Sequence, residues 1–127
     1  MRIDTITISN FRAYKDDVRI DFSNSKTNKN ITLISGKNGF GKTSFLTSII
    51  WCFYGKLMSK VEDKYKTEIK HSGGYERFLL SQFNRNQNRS KMLSVCITLS
   101  DILIPSIPCE NVTIKRSFNK ENKKEIL

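Results

Sequence analysis

The chain contains 127 residues, 38% of them hydrophobic and 10% aromatic, and its 22 Lys and Arg against 12 Asp and Glu give a formal net charge of +10. This size allows one folded domain, and with neither an apolar run of about 18 residues nor a signal region we expect a cytoplasmic protein without membrane segments. The three cysteines are far apart and form no C-x-x-C pair, which argues against a disulfide framework and against a zinc site.

The chain opens with two predicted strands. Residues 3–9 and 17–22 both alternate apolar with polar side chains, which is typical of strands with one buried face. We expect them to form an antiparallel pair. The segment between them reads Asn10-Phe11-Arg12, and taken alone Arg12 is simply a cation in a loop.

A polar loop over residues 23–30 leads into the strongest motif of the chain. Residues 31–35 are rich in β-branched side chains and predict a strand buried on both faces. Residues 36–43 read Gly-Lys-Asn-Gly-Phe-Gly-Lys-Thr and match every fixed position of the phosphate-binding loop G-x-x-x-x-G-K-[ST]. Apolar residues at spacings of three and four then predict a helix over 42–54, with Gly55 as its left-handed cap. Together these segments predict a site for a nucleoside triphosphate with magnesium.

Each residue type in this loop has a chemical role in such a site. The loop glycines are Gly36, Gly39 and Gly41. They permit positive φ angles and a close approach of the backbone to phosphate oxygens. Lys42 would bring its ammonium group between the β and γ phosphates, and Thr43 would offer its hydroxyl oxygen to magnesium. The backbone N–H of Ser44 would complete the phosphate cradle. Equally, the Ser44 hydroxyl could serve only to form a hydrogen bond with the nearby backbone in the first turn of the helix.

The second half of the chain carries weaker patterns. After Gly55 we expect irregular chain and then a short helix over 75–83. Two β-rich runs over 92–99 and 111–118 follow, and the tail over 119–125 is charged. His71, the one histidine, is expected in a polar loop and is assigned no role.

These elements predict a single lobe in three parts. Residues 1–55 hold the first strands, the phosphate loop and the first helix, residues 56–91 a basic loop and the short helix, and residues 92–127 two strands and the tail. The middle part carries nine Lys or Arg against four acids. Such an excess favours contact with a polyanion such as DNA. Since no base-reading motif accompanies the charge, solvated lysines in a biased composition are the alternative.

Several segments together resemble the N-terminal lobe of SMC, SbcC and RecF type ATPases, which are ABC-class ATPases of DNA maintenance. The resemblance rests on residues 10–12 (Asn-Phe-Arg), on residues 34–46 with the phosphate loop, and on residues 51–55 (Trp-Cys-Phe-Tyr-Gly). Within this class, residues 74–79 (Gly-Tyr-Glu-Arg-Phe-Leu) and 83–85 (Phe-Asn-Arg) look most like DndD, the ATPase of DNA phosphorothioate modification systems.

The resemblance implies an α/β P-loop NTPase lobe whose mixed sheet has the strand before the phosphate loop at its centre and antiparallel strands beside it. It implies ATP and Mg²⁺ as cofactors, with Arg12 near a phosphate or the base and with Asn38 and Gly39 around the β phosphate. The partners it implies are the protein's own C-terminal ATPase lobe, a second head in a homodimer, DNA, and DNA-modification or repair proteins.

The sequence lacks the elements that the resemblance requires for hydrolysis. After residue 55 no hydrophobic run of four ends in Asp, as a Walker B strand would, and no Ser-Gly-Gly signature segment occurs. Gln82 and Gln87 precede the strands that should come before a metal-sensing glutamine, so neither is assigned that role. We therefore expect no catalytic residue in this fragment, and hydrolysis only with the C-terminal lobe and a second head.

Two other classes of function stay open. A stand-alone P-loop phosphotransferase or GTPase would need a downstream acidic magnesium ligand or an Asn-Lys-x-Asp segment that reads guanine, and the sequence has neither. The other class is a non-catalytic basic module that binds DNA or a partner and uses nucleotide structurally. This class fits a sequence in which no Walker B strand or signature segment is found.

Overall fold

The computed structural model describes residues 2–12, 14–22, 42–83, 92–100, 111–121 and 124–127. In chain order the described elements are β1 (Arg2–Phe11), β2 (Tyr14–Asp21), α1 (Lys42–Tyr54), a 3₁₀ helix (Gly55–Lys60), α2 (Asp63–Ser72), α3 (Tyr75–Ser81), β3 (Met92–Ser100), β4 (Asn111–Asn119) and β5 (Lys124–Ile126). Helices and strands therefore both contribute to the described part of the chain, as an α/β fold requires.

The described strands form one sheet in the order β2-β1-β3-β4-β5, and all neighbouring strands are antiparallel. The predicted pairing of the first two strands is confirmed, with Ile8 opposite Val18. On its other side β1 pairs with β3, where Ile8 lies opposite Val95. Ile8 and Val95 are fully buried while the residues that alternate with them are partly exposed, so one face of the sheet carries the core.

Helix α1 packs against this face of the sheet and, with buried residues of the helices that follow it, completes the core. Its buried residues recur at spacings of three and four and therefore lie on one helical face; they include Phe45, Ser48, Trp51 and Cys52. The Cys52 thiol lies 3.4 Å from the carbonyl oxygen of Val95 in β3, which places this face directly on the sheet. Burial of each large apolar side chain stabilises the folded state by roughly 1.5–3 kcal/mol, so the packing of this helical face holds α1 against the sheet.

The strongest patterns in the sequence predicted their elements closely. The structure has α1 at Lys42–Tyr54, the bounds predicted from its apolar spacing. Gly55 has a φ of 55°, the left-handed conformation expected of the cap. The short helix predicted over 75–83 is α3, and the two β-rich runs are β3 and β4, each one residue longer than predicted.

The expectation of irregular chain and a basic loop after Gly55 was wrong. A 3₁₀ helix and the ten-residue α2 occupy this region, and His71 lies in the last turn of α2 rather than in a loop. Only Tyr65 and Ile69 mark an inner face of α2, a pair too sparse to show helical periodicity in the sequence. Gly73, with a φ of 92°, ends the helix, because its N–H bonds the carbonyl oxygens of the last turn.

No strand was predicted in the tail over 119–125, which was described only as charged, but β5 (Lys124–Ile126) begins there. This three-residue strand pairs with β4, and residues so few and so polar carry no strand pattern of their own.

Several predicted elements lie outside the described residues. They are the loop over 23–30, the central strand over 31–35, the phosphate loop up to residue 41, the loop over 84–89 and the segment over 101–110. The mixed character of the sheet depends on the strand over 31–35 and stays a prediction. Within the described ranges, no helix combines the length and the apolar character needed to cross a bilayer.

Candidate functional site

The last residues of the phosphate-loop motif open helix α1. Lys42 and Thr43 are its first two residues and are exposed, while Ser44 is half-buried. The first N–H groups of a helix have no acceptor within the helix, and the dipole places partial positive charge at this end. An anionic ligand is therefore favoured at this position, and an exposed ammonium beside an exposed hydroxyl oxygen fits a phosphate with a magnesium ion.

The remaining loop residues assigned to the nucleotide, Gly36, Asn38, Gly39 and Gly41, lie outside the described residues. Their contacts with phosphate stay predictions. The described residues bring no three His, Cys, Asp or Glu side chains together as a metal site of their own.

Arg12 follows a distortion in β1. The register of β1 against β2 shifts between Ser9 and Phe11, as in a β-bulge, and Asn10 and Arg12 have positive φ angles of 57° and 46°. The buried Asn10 side chain stabilises this turn, because its Oδ1 accepts the N–H of Asp16 at 2.9 Å and its Nδ2 donates to the carbonyl oxygen of Met92 at 3.0 Å. The backbone geometry at Arg12 is thus built by specific contacts.

Phe11 connects this turn to helix α1. Its ring is fully buried and its centroid lies 6.0 Å from that of Trp51, also fully buried. Trp51 belongs to the same helix that begins with Lys42 and Thr43. The segment that carries Arg12 and the helix that carries the motif therefore share one packed core.

The guanidinium group of Arg12 is held by two side chains from the helical region. Its Nε donates to Oε1 of Gln82, just after α3, and its Nη2 lies 3.4 Å from Oε2 of Glu68 in α2. The backbone N–H of Arg12 also donates to the carbonyl oxygen of Gln82 at 2.6 Å. Sequence reasoning missed both partners, because they are 70 and 56 residues away and belong to no motif. The structure thus brings Arg12 together with Gln82 and Glu68.

A second polar cluster supports the back of α1. The indole Nε1 of Trp51 donates to the hydroxyl oxygen of Tyr75 at 2.9 Å, and the Tyr75 hydroxyl donates to Oε1 of Glu125 at 2.6 Å. Arg116 pairs with the same Oε1 at 3.0 Å and donates from Nε to the carbonyl oxygen of Cys52 at 3.2 Å. Burial, and then the contact with Glu125, raises the pKa of Tyr75 well above its usual value. This cluster ties β4 and β5 to α1 and α3.

The basic middle segment forms a helical surface. Each described Lys and Arg of this segment is exposed, and together we call them the basic helical surface. Its members are Lys56, Lys60, Lys64, Lys66, Lys70 and Arg77. Arg85, Arg89 and Lys91 lie outside the described residues. The same described stretch also holds four acids, Glu62, Asp63, Glu68 and Glu76, so it carries six basic side chains against four acidic ones. The remaining positive excess is the feature that favours a polyanion.

Comparison with known proteins gives one family match and several relatives. The family model described as "AAA domain" matches residues 5–127. The chain is 31% identical over 77 residues to the chromosome partition protein Smc of Fusobacterium nucleatum, which covers 61% of this chain and 6% of that protein. It is 39% identical over 82 residues to the DNA replication and repair protein RecF of Clostridium acetobutylicum, covering 65% of this chain and 21% of RecF.

A second RecF protein, from Acetivibrio thermocellus, is 33% identical over 92 residues, covering 72% of this chain and 22% of that protein. The chain therefore spans less than a quarter of the length of each of these three relatives.

Proposed function

This chain belongs to the AAA domain family, and on that premise we propose that it is the ATP-binding N-terminal lobe of a DNA-linked ATPase of the SMC and RecF type. The observation that carries the proposal is the complete phosphate-loop motif ending in Lys42 and Thr43 at the exposed start of α1. A lysine, a hydroxyl and the N–H groups of a helix start at one point suit a nucleoside triphosphate with Mg²⁺.

In this proposal each motif residue contacts a different part of the nucleotide or its Mg²⁺ ion. Lys42 neutralises the β and γ phosphates and Thr43 ligates Mg²⁺, while the backbone around Ser44 donates to phosphate oxygens. Arg12 adds a guanidinium, whose planar fork suits a phosphate. Backbone contacts from the glycines and Asn38 would wrap the β phosphate, as the resemblance implies.

Hydrolysis and DNA work belong to a larger assembly in this proposal. The lobe would join its own C-terminal lobe, and two heads would form a homodimer. The relatives are named for chromosome partition and for DNA replication and repair, which supports a role on DNA. We propose that the protein fills this role in the cytoplasm. The pathway would be repair, restriction or DNA modification of the DndD kind. We assign the DNA contact to the basic helical surface, because phosphate contacts need charge rather than a base-reading motif.

The experiment is a titration of the complete protein with a fluorescent ATP analogue and Mg²⁺. We expect Lys42→Ala to weaken binding by at least about tenfold, since a hydrogen bond to a charged group contributes about 1.5–3 kcal/mol. The matched control is Lys115→Ala, which removes an exposed lysine of β4 and should leave the affinity unchanged. Equal binding by wild type and Lys42→Ala would refute the proposed site.

A second function is favoured by the basic helical surface: a non-catalytic module that binds DNA in a nucleotide-dependent way. ATP turnover by the complete protein separates it from the ATPase. Turnover that Lys42→Ala abolishes supports the ATPase, whereas ATP-dependent DNA binding without turnover supports the module.

A further inference from the structure

The side chain of Gln82 is fixed in one orientation. It is only 4% exposed, and its Nε2 donates to the carbonyl oxygen of Phe78 at 3.0 Å and to Oγ of Ser81 at 2.9 Å. Because both amide donations go to acceptors at the end of α3, the amide oxygen must point the other way, toward Nε of Arg12. The backbone carbonyl oxygen of the same residue accepts the Arg12 N–H. Gln82 thus contacts Arg12 through both its backbone and its side chain.

Arg12 is held in a conformation that costs free energy. Its φ of 46° is uncommon for a residue other than Gly, Asn or Asp, and the bulge beside it interrupts the β1 ladder. Such local strain persists only where surrounding contacts impose it, and it concentrates at ligand sites. The contacts of Asn10 with Asp16 and Met92, and those of Gln82 with Arg12, hold the backbone in this conformation.

The other end of the guanidinium meets an anion. Nη2 of Arg12 lies 3.4 Å from the Glu68 carboxylate, and both side chains keep partial exposure, 24% and 34%. The geometry that accepts a carboxylate at a guanidinium also accepts a phosphate. Gln82 therefore holds the Nε side of the group in the interior, while the Nη2 end lies at a partly exposed position, where a phosphate would compete with the Glu68 carboxylate.

We infer that Gln82 is a positioning residue for the nucleotide, because it fixes the Arg12 guanidinium so that its Nη end meets a phosphate of bound ATP. This inference rests on the proposed function. Gln82 itself does not touch the nucleotide, and its effect on affinity passes entirely through Arg12. Its role is thus distinct from that of a metal-sensing glutamine.

The test is a double-mutant cycle on the complete protein, with the Kd for a fluorescent ATP analogue and Mg²⁺ as the readout. Gln82→Met keeps the length of the side chain and removes the amide, and it is measured in the wild-type and Arg12→Ala backgrounds. Ser72→Ala is the matched control, since it removes a 2.9 Å hydrogen bond at the end of the neighbouring α2. The melting temperature of each variant is recorded.

We expect Gln82→Met to weaken ATP binding by about fivefold and Arg12→Ala by about tenfold or more, the range of one charge-assisted hydrogen bond. The double variant should bind as Arg12→Ala does, and Ser72→Ala as wild type does. A purely structural role of Gln82 would instead lower the affinity equally in both backgrounds.

The inference is overturned if Gln82→Met leaves the affinity unchanged, if its effect persists without Arg12, or if Ser72→Ala weakens binding as much. Arg12→Ala binding as wild type would also overturn it, while a defect in Lys42→Ala would still support the ATP site. Wild-type protein that fails to bind ATP would instead refute the proposed function.

Discussion

The hydroxyl group of Tyr75 in α3 donates a 2.6 Å hydrogen bond to Oε1 of Glu125 in β5, 50 residues further along the chain. The same hydroxyl oxygen accepts the indole N–H of Trp51 in α1. One phenol therefore joins two helices and the last described strand. Because partly buried polar groups lose water when they pair, each partner depends on the others.

Removal of this hydroxyl should destabilise the protein. We expect Tyr75→Phe to lower the free energy of unfolding by about 1–3 kcal/mol, because the Trp51 indole loses its acceptor and Glu125 loses a donor. Urea unfolding measures the change. Tyr54→Phe, at a tyrosine that is 47% exposed, is the matched control and should stay within about 0.5 kcal/mol of wild type. Equal losses in the two variants would contradict a special role for Tyr75.

Substitution of Gly55 should be costly for two reasons. Its φ of 55° disfavours any side chain, and a Cβ atom there would lie 2.5 Å from Nη1 and 2.7 Å from Cζ of Arg116. Contacts with Cys52 and Glu125 fix this guanidinium. We expect Gly55→Ala to lower the free energy of unfolding by about 2 kcal/mol or more. The same substitution measured in an Arg116→Ala background should cost less, and an undiminished cost would show that no clash occurs.

A buried hydroxyl in α1 offers a stabilising substitution. Thr47 is fully buried, and its Oγ1 has no hydrogen-bond partner in the described part of the protein. An unpaired buried hydroxyl costs about 1–3 kcal/mol, and valine has nearly the same shape. We expect Thr47→Val to raise the free energy of unfolding by roughly 1 kcal/mol. Thr67→Val, at an exposed position of α2, should change it little, and a destabilised Thr47→Val would disprove the argument.

Thiol labelling should distinguish two cysteines. Burial raises the pKa of Cys52 from its ordinary value of 9.0 to about 11, against an opposing effect of Arg116. The thiolate is the reactive form, so native Cys52 should react with iodoacetamide at pH 8 at least about tenfold more slowly than the half-buried Cys96. Mass spectrometry of labelled peptides, with and without urea, measures this. Equal labelling rates for Cys52 and Cys96 in the native protein would contradict the burial of Cys52.

The raised pKa of Cys52 also determines how the stability of the fold changes with pH. The folded state keeps the Cys52 proton to higher pH than the unfolded chain does, so this contribution to stability is complete below pH 9 and is lost as the pH rises toward 11. The raised pKa of Tyr75 acts in the same direction.

The sequence predicted those parts of the fold whose patterns are dense. Helix α1 has apolar residues at every turn, and β1 and β3 alternate regularly, so their existence and approximate bounds could be read directly. Helix α2 was missed because two inner residues make too weak a pattern, and β5 because pairing with β4 rather than its composition makes it a strand. Tertiary contacts overrode local preference in both places.

The candidate site divides in a similar way. Lys42, Thr43 and Ser44 were assigned from a motif of fixed spacing, and the structure places them at the start of α1. Nothing in the spacing of Gln82 or Glu68 indicated that either residue would contact Arg12. Those contacts arise from a bulge in β1 and from the way α2 and α3 fold back beside it.

The sequence by itself therefore determined the phosphate-loop motif, the helix that follows it and the strand faces that point into the core. These features depend on backbone geometry within a few residues, which side-chain type and spacing record. Only the tertiary structure decided which groups hold Arg12 and how Trp51, Tyr75 and Glu125 join distant elements. A contact across 50 to 70 residues depends on the packing of whole helices against the sheet, and the sequence around one partner does not indicate the other.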